Sequence, residues 1–183
     1  MLQGERVVLR AVEREDLKRL HELHQNVELV LLGDGEWEPQ PLAASEKRYD
    51  KYVADDDKAW FVIEVAGIVV GDINLHHRDR RSAVAALGVG IHDPAFLSQG
   101  YGREAIGLLL GWAFHIQNYQ KIWLDTWSTN PRAIRCYQSL GFVEEGRQRR
   151  QLYVNGEYVD LVLMGLQREE WQADKQGYNY AQR

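Results

Sequence analysis

Two short turns do most to limit what this chain can fold into. Ala66-Gly67 separates the apolar runs 60–65 and 68–75, and Asn155-Gly156 separates 146–154 from 157–166. A two-residue loop of this chemistry joins strands that lie side by side and antiparallel. The run 84–91 continues the first sheet segment, with Gly88 and Gly90 where the backbone can bulge or be closely approached. Ahead of these strands come a short β-branched run at 7–11 and two helices, at 13–26 and 43–54. In the first helix Leu17, Leu20 and Leu23 recur at helical spacing, and Glu13, Glu15 and Asp16 sit at its positive end. A helix from about Gly102, a strand at 121–126 and a helix at 130–140 lead into the last hairpin. The expected fold is therefore α/β (α+β): a single domain with a mixed, mostly antiparallel sheet and helices on both faces. It is not a doubly wound parallel sheet, which needs strand and helix to alternate throughout. The domain is expected over 1–168, followed by a C-terminal tail at 169–183 that is rich in Gln, Tyr and charge after Glu170 and expected to fray there.

Composition removes several functions. The 183 residues carry 22 Lys and Arg against 27 Asp and Glu, a net charge of −5. A nonspecific binder of duplex DNA needs a broad cationic surface that this balance does not supply. The single cysteine, Cys136, excludes an intramolecular disulfide and a cysteine-based zinc site. It reads as a small buried side chain and not as a nucleophile. The longest apolar stretch, 105–116, is interrupted by Gly107 and Gly111 and is too short to span a bilayer, and the N-terminus lacks a secretory pattern. The chain reads as soluble and cytoplasmic, with neither nucleic acid nor membrane as a partner.

The segment 94–105 carries the chemistry. Gly100 and Gly102 remove side chains just before a helix whose first turn has unpaired N–H groups. Such an end attracts a phosphate or pyrophosphate, and Arg103 can add a charge-assisted contact. A tight turn without any ligand explains the glycines equally well. Gly100, Gly102 and Ala105 also fit G-x-G-x-x-A, with Asp125 beyond. A dinucleotide fold, however, places the first glycine directly after its strand and continues with further βα units. Here Asp93 and Pro94 intervene, and only one helix and a hairpin follow Asp125. A nucleotide triphosphatase loop is excluded because no Gly-Lys-Ser/Thr follows the glycines.

Two separated segments resemble the Gcn5-related N-acetyltransferase (GNAT) superfamily, in particular its ribosomal-protein and spermidine acetyltransferase branches. They are Leu97-Ser98-Gln99-Gly100-Tyr101-Gly102-Arg103-Glu104-Ala105 and Asn130-Pro131-Arg132-Ala133-Ile134-Arg135-Cys136-Tyr137-Gln138-Ser139-Leu140-Gly141-Phe142, followed by the hairpin Val154-Asn155-Gly156-Glu157-Tyr158. The stretches Tyr49–Asp55 and Phe61-Val62-Ile63-Glu64 are similar to the spermidine branch, and the resemblance runs over about residues 5 to 168. It implies the GNAT acyl-CoA acyltransferase fold, with acetyl-CoA as cosubstrate and no metal. By the same resemblance, amides of Leu97, Ser98, Gln99, Gly100, Tyr101, Gly102 and Arg103 hold the pyrophosphate. The strand before them splays from its parallel neighbour and pairs with the pantetheine arm through Gly88, Val89, Gly90 and Ile91. Asn130 lies near that arm, Tyr137 points its hydroxyl at the thioester sulfur, and a homodimer is a compatible assembly.

Amide formation from a thioester needs a neutral amine, a polarised carbonyl and a proton for the departing thiolate. A backbone N–H of Val89 or Gly90 can polarise the carbonyl, and the Tyr137 phenol can protonate the sulfur. Tyr137 also belongs to an Ala133, Ile134, Tyr137, Leu140 stripe that a packed helix would use anyway. The base is left open. Relatives often carry a carboxylate on the strand where this chain has Ala85-Ala86-Leu87-Gly88-Val89. Asp72, Glu36 or Asp34, a water chain, or an amine that arrives neutral could serve. An amine of pKa near 8 is roughly 10% neutral at pH 7, whereas one near 10.4 is below about 0.1%, so a missing base favours a protein N-terminus. His76 and His77 could supply a base or a substrate contact, but, adjacent on a strand, they should point to opposite faces so that at most one meets the site, and an exposed turn with 78–81 is the other reading. For the acceptor, Trp37 flanked by Asp34, Glu36 and Glu38 in the loop 31–41 suits a cationic amine. A surface loop anchored by its Trp is an equal reading. Trp123 is expected in the core, and Trp127 as a wall of the acceptor groove. The expected activity is acetyl-CoA-dependent N-acetylation of a primary amine: a protein N-terminus, a polyamine or another small amine. The alternatives are an antibiotic- or amino-acid-modifying acetyltransferase and a non-catalytic acyl-CoA sensor.

Overall fold

The computed structural model describes residues 1–33, 37–55 and 59–171. Its strands are β1 Leu2–Gln3, β2 Val7–Ala11, β3 Ala59–Val65, β4 Ile68–Asp79, β5 Val84–Ile91, β6 Lys121–Trp127, β7 Val143–Val154 and β8 Glu157–Gln167. They form one sheet in the order β1-β2-β3-β4-β5-β6-β8-β7. Every neighbouring pair is antiparallel except β5 and β6. The helices are α1 Asp16–Leu23, α2 Val27–Gly33, α3 Leu42–Val53, α4 Tyr101–Gly111 and α5 Pro131–Ser139.

Strand alternation divides the core between the two faces of the sheet. On β3, Ile63 and Val65 belong to the larger cluster, with Ile106, Leu109 and Leu110 of α4. Val62, next to Ile63 and facing the other way, joins Leu17 and Leu20 of α1 in a second cluster, flanked by Leu42, Tyr49 and Tyr52 of α3. One strand thus feeds two hydrophobic layers, as period-two side-chain geometry requires. The start of α4 is fixed by a buried carboxylate. Glu104 Oε1 accepts the N–H groups of Arg6 at 2.8 Å and Val7 at 3.0 Å, and Oε2 accepts Arg6 Nε at 3.1 Å.

The expectations for the first helix, for the loop after it and for the histidine pair need correction. The helix expected at 13–26 is confined to α1, and part of the loop expected at 31–41 belongs to α2. The chain breaks at 24–26, where Asn26 Oδ1 accepts the N–H of Leu29 at 3.3 Å and so restarts the helix. His76 and His77 do not simply alternate. His77 takes a positive φ of 46°, and the β4–β5 register shifts between His76 and Asp79. The core also reaches past residue 168: Trp171 is buried, its ring 5.5 Å from that of Phe114.

Asp16 closes the first turn of α1. Its Oδ2 accepts the Glu13 N–H at 2.9 Å, and Arg10 grips both carboxylate oxygens at 2.7 and 2.8 Å. Burial pushes this carboxyl up, but the hydrogen bonds from Arg10 and Glu13, with the Arg10 charge, outweigh it and hold the group below its ordinary value. A depressed folded pKa means stability that is complete above the unfolded value near 3.9 and is lost as pH falls through the folded one. Asp16→Asn should therefore cost about 1–2 kcal/mol at pH 7. In urea titrations the gap to wild type should narrow progressively below pH 4.

Candidate active site

The β5–β6 ladder joins Val84–Ala86 to Lys121–Trp123 and stops there, although β5 runs on to Ile91 and β6 to Trp127. Beyond Ala86 the two strands part. A cavity of about 610 Å³ opens between them, lined by residues 86–92 on one side and 123–126 on the other. A strand edge with no neighbour leaves backbone donors and acceptors that an extended guest can pair with.

At the far end of this edge lies the glycine loop. Asp93 accepts the Ala95 N–H at 3.0 Å and starts a 3₁₀ turn at Pro94–Phe96. Ser98 at φ 60° and Gly100 at φ 86° then turn the chain into α4. Gly100 needs its left-handed backbone; Gly102 does not. A Cβ on Gly102 would meet only Ile91 Cγ1 at 3.6 Å, an ordinary contact. The space around Gly102 stays open beside the first-turn amides, which have no partner within the helix. The cradle suits a pyrophosphate by its donor set, its open access and the nearby Arg103, whose Nε donates to Ser139 Oγ at 3.1 Å.

Most of the residues singled out in the sequence meet at this cavity. Val89, Gly90, Ile91, Leu97, Ser98, Gly100, Tyr101, Gly102, Arg103, Asn130 and Tyr137 all line it. Gln99 does not. Its side chain donates to the Ala95 carbonyl at 2.6 Å, and its own carbonyl accepts from Arg6 Nη1 at 3.1 Å, so it braces the loop from outside. Asn130 caps α5 through Oδ1, which accepts the Ala133 N–H at 3.1 Å. Tyr137 is both packed and presented: its ring lies edge-on to Phe142 at 5.9 Å while the residue lines the cavity. Burial pushes the Cys136 thiol up against the lowering influence of Arg103 and Arg132. That keeps it a thiol and not a thiolate nucleophile.

On the acceptor side, the roles expected of two tryptophans are exchanged. Trp127 is 5% exposed and belongs to the core, whereas Trp123 lines the cavity. Ile122, Leu124 and Thr126 are buried on one face of β6, so alternation puts Trp123 on the other, the face it shares with the covered Trp127. Its indole stacks on His77, ring centroids 6.3 Å apart. Trp37 is half-buried and is not among the lining residues; Glu36 and Asp34 lie outside the described residues. His76, of the histidine pair, lines the cavity, and so do Leu29 and Val30 of α2 and His92, for which the sequence gives no signal.

His92 belongs to a polar cluster beside Gly90. Asp72 Oδ1 lies 3.0 Å from His92 Nε2, Oδ2 accepts the Trp60 indole N–H at 2.7 Å, and the His24 ring is 4.3 Å from that of His92. Burial pushes the Asp72 carboxyl up. The hydrogen bond and charge of His92, the charge of His24 and the Trp60 N–H more than offset this and hold it below its ordinary value.

Residues 6–143 match the family model described as the acetyltransferase (GNAT) domain. The chain belongs to the GNAT acetyltransferase family. It is 32% identical over 167 residues to the spermidine N(1)-acetyltransferase of Vibrio cholerae, covering 86% of this chain and 91% of that protein. A ribosomal N-acetyltransferase assigned putatively in Bacillus subtilis, YdaF, is 28% identical, covering 94% and 97%. The crystal structure of the Vibrio cholerae spermidine N-acetyltransferase in complex with CoA and spermine superposes with a TM-score of 0.85 at 29% identity, covering 91% of this chain and 98% of that one. A dodecameric structure of that enzyme superposes at 0.79. As a GNAT acetyltransferase the chain is an acetyl-CoA-dependent N-acetyltransferase on a mixed α/β fold, and a non-catalytic sensor is not favoured. Among the described residues no helix is long and apolar enough to cross a membrane.

Proposed function

We propose that this GNAT enzyme acetylates a primary amine of a polyamine, with acetyl-CoA laid along the open edge of β5 and its pyrophosphate on the loop 97–103. The observation that carries the reading is the continuity of one cavity from the parted β5–β6 edge to the start of α4. The backbone of Val89, Gly90 and Ile91 pairs with the pantetheine arm, and the N–H of Val89 or Gly90 polarises the thioester carbonyl. Asn130 holds the start of α5 beside the arm, and Tyr137 supplies a proton to the sulfur. Trp123 and His76 replace Trp127 as acceptor-side walls; Trp37 and Glu36 stay with the acceptor as groups that attract a polycation. The protein acts in the cytoplasm and self-associates, with a homodimer as its smallest assembly.

Holding the amine against the thioester supplies much of the rate. The neutral amine attacks the carbonyl carbon, the C–N bond forms and the C–S bond breaks. Tyr137 protonates the departing thiolate, and the surplus proton on nitrogen returns to the phenol through solvent. Calorimetry with CoA should show saturable binding, and an amine panel should show spermidine turned over with a higher kcat/KM than N-terminal peptides, amino acids or aminoglycosides. Turnover confined to N-terminal peptides would move the acceptor to proteins, and absence of CoA binding would remove the reading altogether.

A further inference from the structure

We infer that His92, oriented by Asp72, is the general base that takes the proton from the acceptor ammonium. The inference rests on the acetyltransferase reading above and adds to it the group that the Ala85-Ala86-Leu87 segment of β5 does not provide. Residues of β5 and its extension alternate in direction. Val89 and Ile91 pack against the cluster that contains α4, which leaves Gly90 and His92 on the other face, towards α1. The His92 ring lies directly over Gly90: a Cβ built there would fall 2.4 Å from Nε2 and 2.2 Å from Cε1. Gly90 is thus bare where an imidazole must sit against the backbone proposed to hold the thioester carbonyl, and His92 lines the same cavity.

The hydrogen bonds settle what the ring can do. An ionised carboxylate only accepts, so with Asp72 Oδ1 at 3.0 Å the hydrogen sits on His92 Nε2 and the basic lone pair on Nδ1. Asp72 is itself fixed, through Oδ2, by the Trp60 indole. A buried carboxylate behind an imidazole selects its tautomer and stabilises the imidazolium that forms when Nδ1 takes a proton. Among the described residues, the titratable groups beside His92 include His24, at the C-terminal end of α1, and Asp93, whose carboxylate is paired with Arg19. His76 lines the cavity too, but its Nδ1 partner is the amide oxygen of Asn74 at 2.9 Å, which gives far less support to an imidazolium. In the step proposed, R–NH₃⁺ transfers one proton to His92 Nδ1, and the R–NH₂ formed attacks the thioester. The imidazolium returns its proton to solvent after the acetamide leaves. A polyamine amine, below about 0.1% neutral at pH 7, makes such a base necessary; Asp72 is a positioning residue.

The test begins with wild-type turnover of spermidine, whose absence would sink the acceptor assignment alone. The His92 arm then uses whichever amine is turned over, together with a series of primary amines of decreasing basicity. His92→Gln should lower kcat/KM for a strongly basic amine roughly 50-fold at pH 7 and leave CoA affinity within about twofold. The loss should shrink below about threefold for an amine that is already neutral. Asp72→Asn should shift the acid limb of the pH profile, and His76→Gln should leave it in place. A loss independent of amine basicity, or one produced by His76→Gln in place of His92→Gln, would overturn the inference. Should the His92 and Asp72 variants fail to fold, NMR of the wild-type imidazoles decides. His92 must carry its hydrogen on Nε2 and titrate with the acid limb; an Nδ1–H tautomer, or titration elsewhere, overturns it.

Discussion

Replacing Glu104 with alanine should lower the stability of the protein by about 4 kcal/mol, the largest loss expected from any single polar side chain described above. The carboxylate is 8% exposed and accepts two main-chain N–H groups, from Arg6 and Val7, besides the Arg6 guanidinium. Removing it strands two donors at the join between β2 and α4, at about 1–3 kcal/mol each. It also deletes a carboxylate from the first turn of a helix, where negative charge is favourable. The Arg6 side chain, 47% exposed, can turn to water and adds less. For a domain of this size the melting temperature should fall by roughly 10 °C. The urea midpoint should drop with an unchanged slope. Glu104→Gln keeps an acceptor for the two N–H groups and should recover more than half of the loss. The same change should reach the cofactor site. Arg6, released from Glu104, also donates to the Gln99 carbonyl and lies over the Tyr101 ring at 4.9 Å. The KM for acetyl-CoA should therefore rise several-fold in Glu104→Ala at a temperature where the variant is still folded. A stability change below 1 kcal/mol would show that the loop and helix are held by apolar packing alone.

The way Glu104 works also explains what could be read from the sequence. The hairpins at Ala66-Gly67 and Asn155-Gly156 and the run 84–91 are local signals, set by backbone preferences a few residues long, and the structure places strands where they point. The glycine loop is legible for the same reason: a left-handed Gly100 caps the helix and a bare Gly102 falls in its first turn. The failures are non-local. A helix at 27–33 hides behind one residue, Asn26, whose capping role is invisible until the break after α1 is known. His76 and His77 escape alternation because a positive φ and a register shift intervene. Trp123 and Trp127 share a face of β6 by alternation, and nothing in the strand's own sequence says which of the two the fold covers. His92 carries no sequence signal for another reason. Its meaning comes from Asp72, twenty residues earlier, from Trp60 and from His24, which only the sheet and α1 bring together. Asp72 was one of the candidate bases in the sequence, and in the folded chain its carboxylate is engaged by an imidazole and an indole.

Tyr137→Phe should lower kcat about 100-fold while leaving the fold and the KM for acetyl-CoA nearly unchanged. The ring is retained, so the edge-on contact with Phe142 at 5.9 Å and the packing of α5 survive. The main-chain role of residue 137, whose carbonyl accepts the N–H groups of Leu140 at 3.0 Å and Phe142 at 3.1 Å, is also untouched. What disappears is one hydroxyl at the cavity wall. If that hydroxyl protonates the departing thiolate, its removal leaves water to do so at a poorer geometry, a loss of the size usual for a positioned acid. With Asp72 and His92 assigned by the proposal to the amine and Tyr137 to the sulfur, the two losses should respond to different substrates. The Tyr137→Phe defect should be insensitive to amine basicity and should shrink with an acetyl thioester whose thiol is more acidic, since a stable thiolate needs no proton to leave. His92→Gln should show the reverse pattern. Steady-state kinetics on a two-by-two set of amines and thioesters reads both dependences at once. A Tyr137→Phe variant with undiminished kcat on the natural thioester would assign the tyrosine to packing alone, and proton delivery to solvent entering along the parted strands.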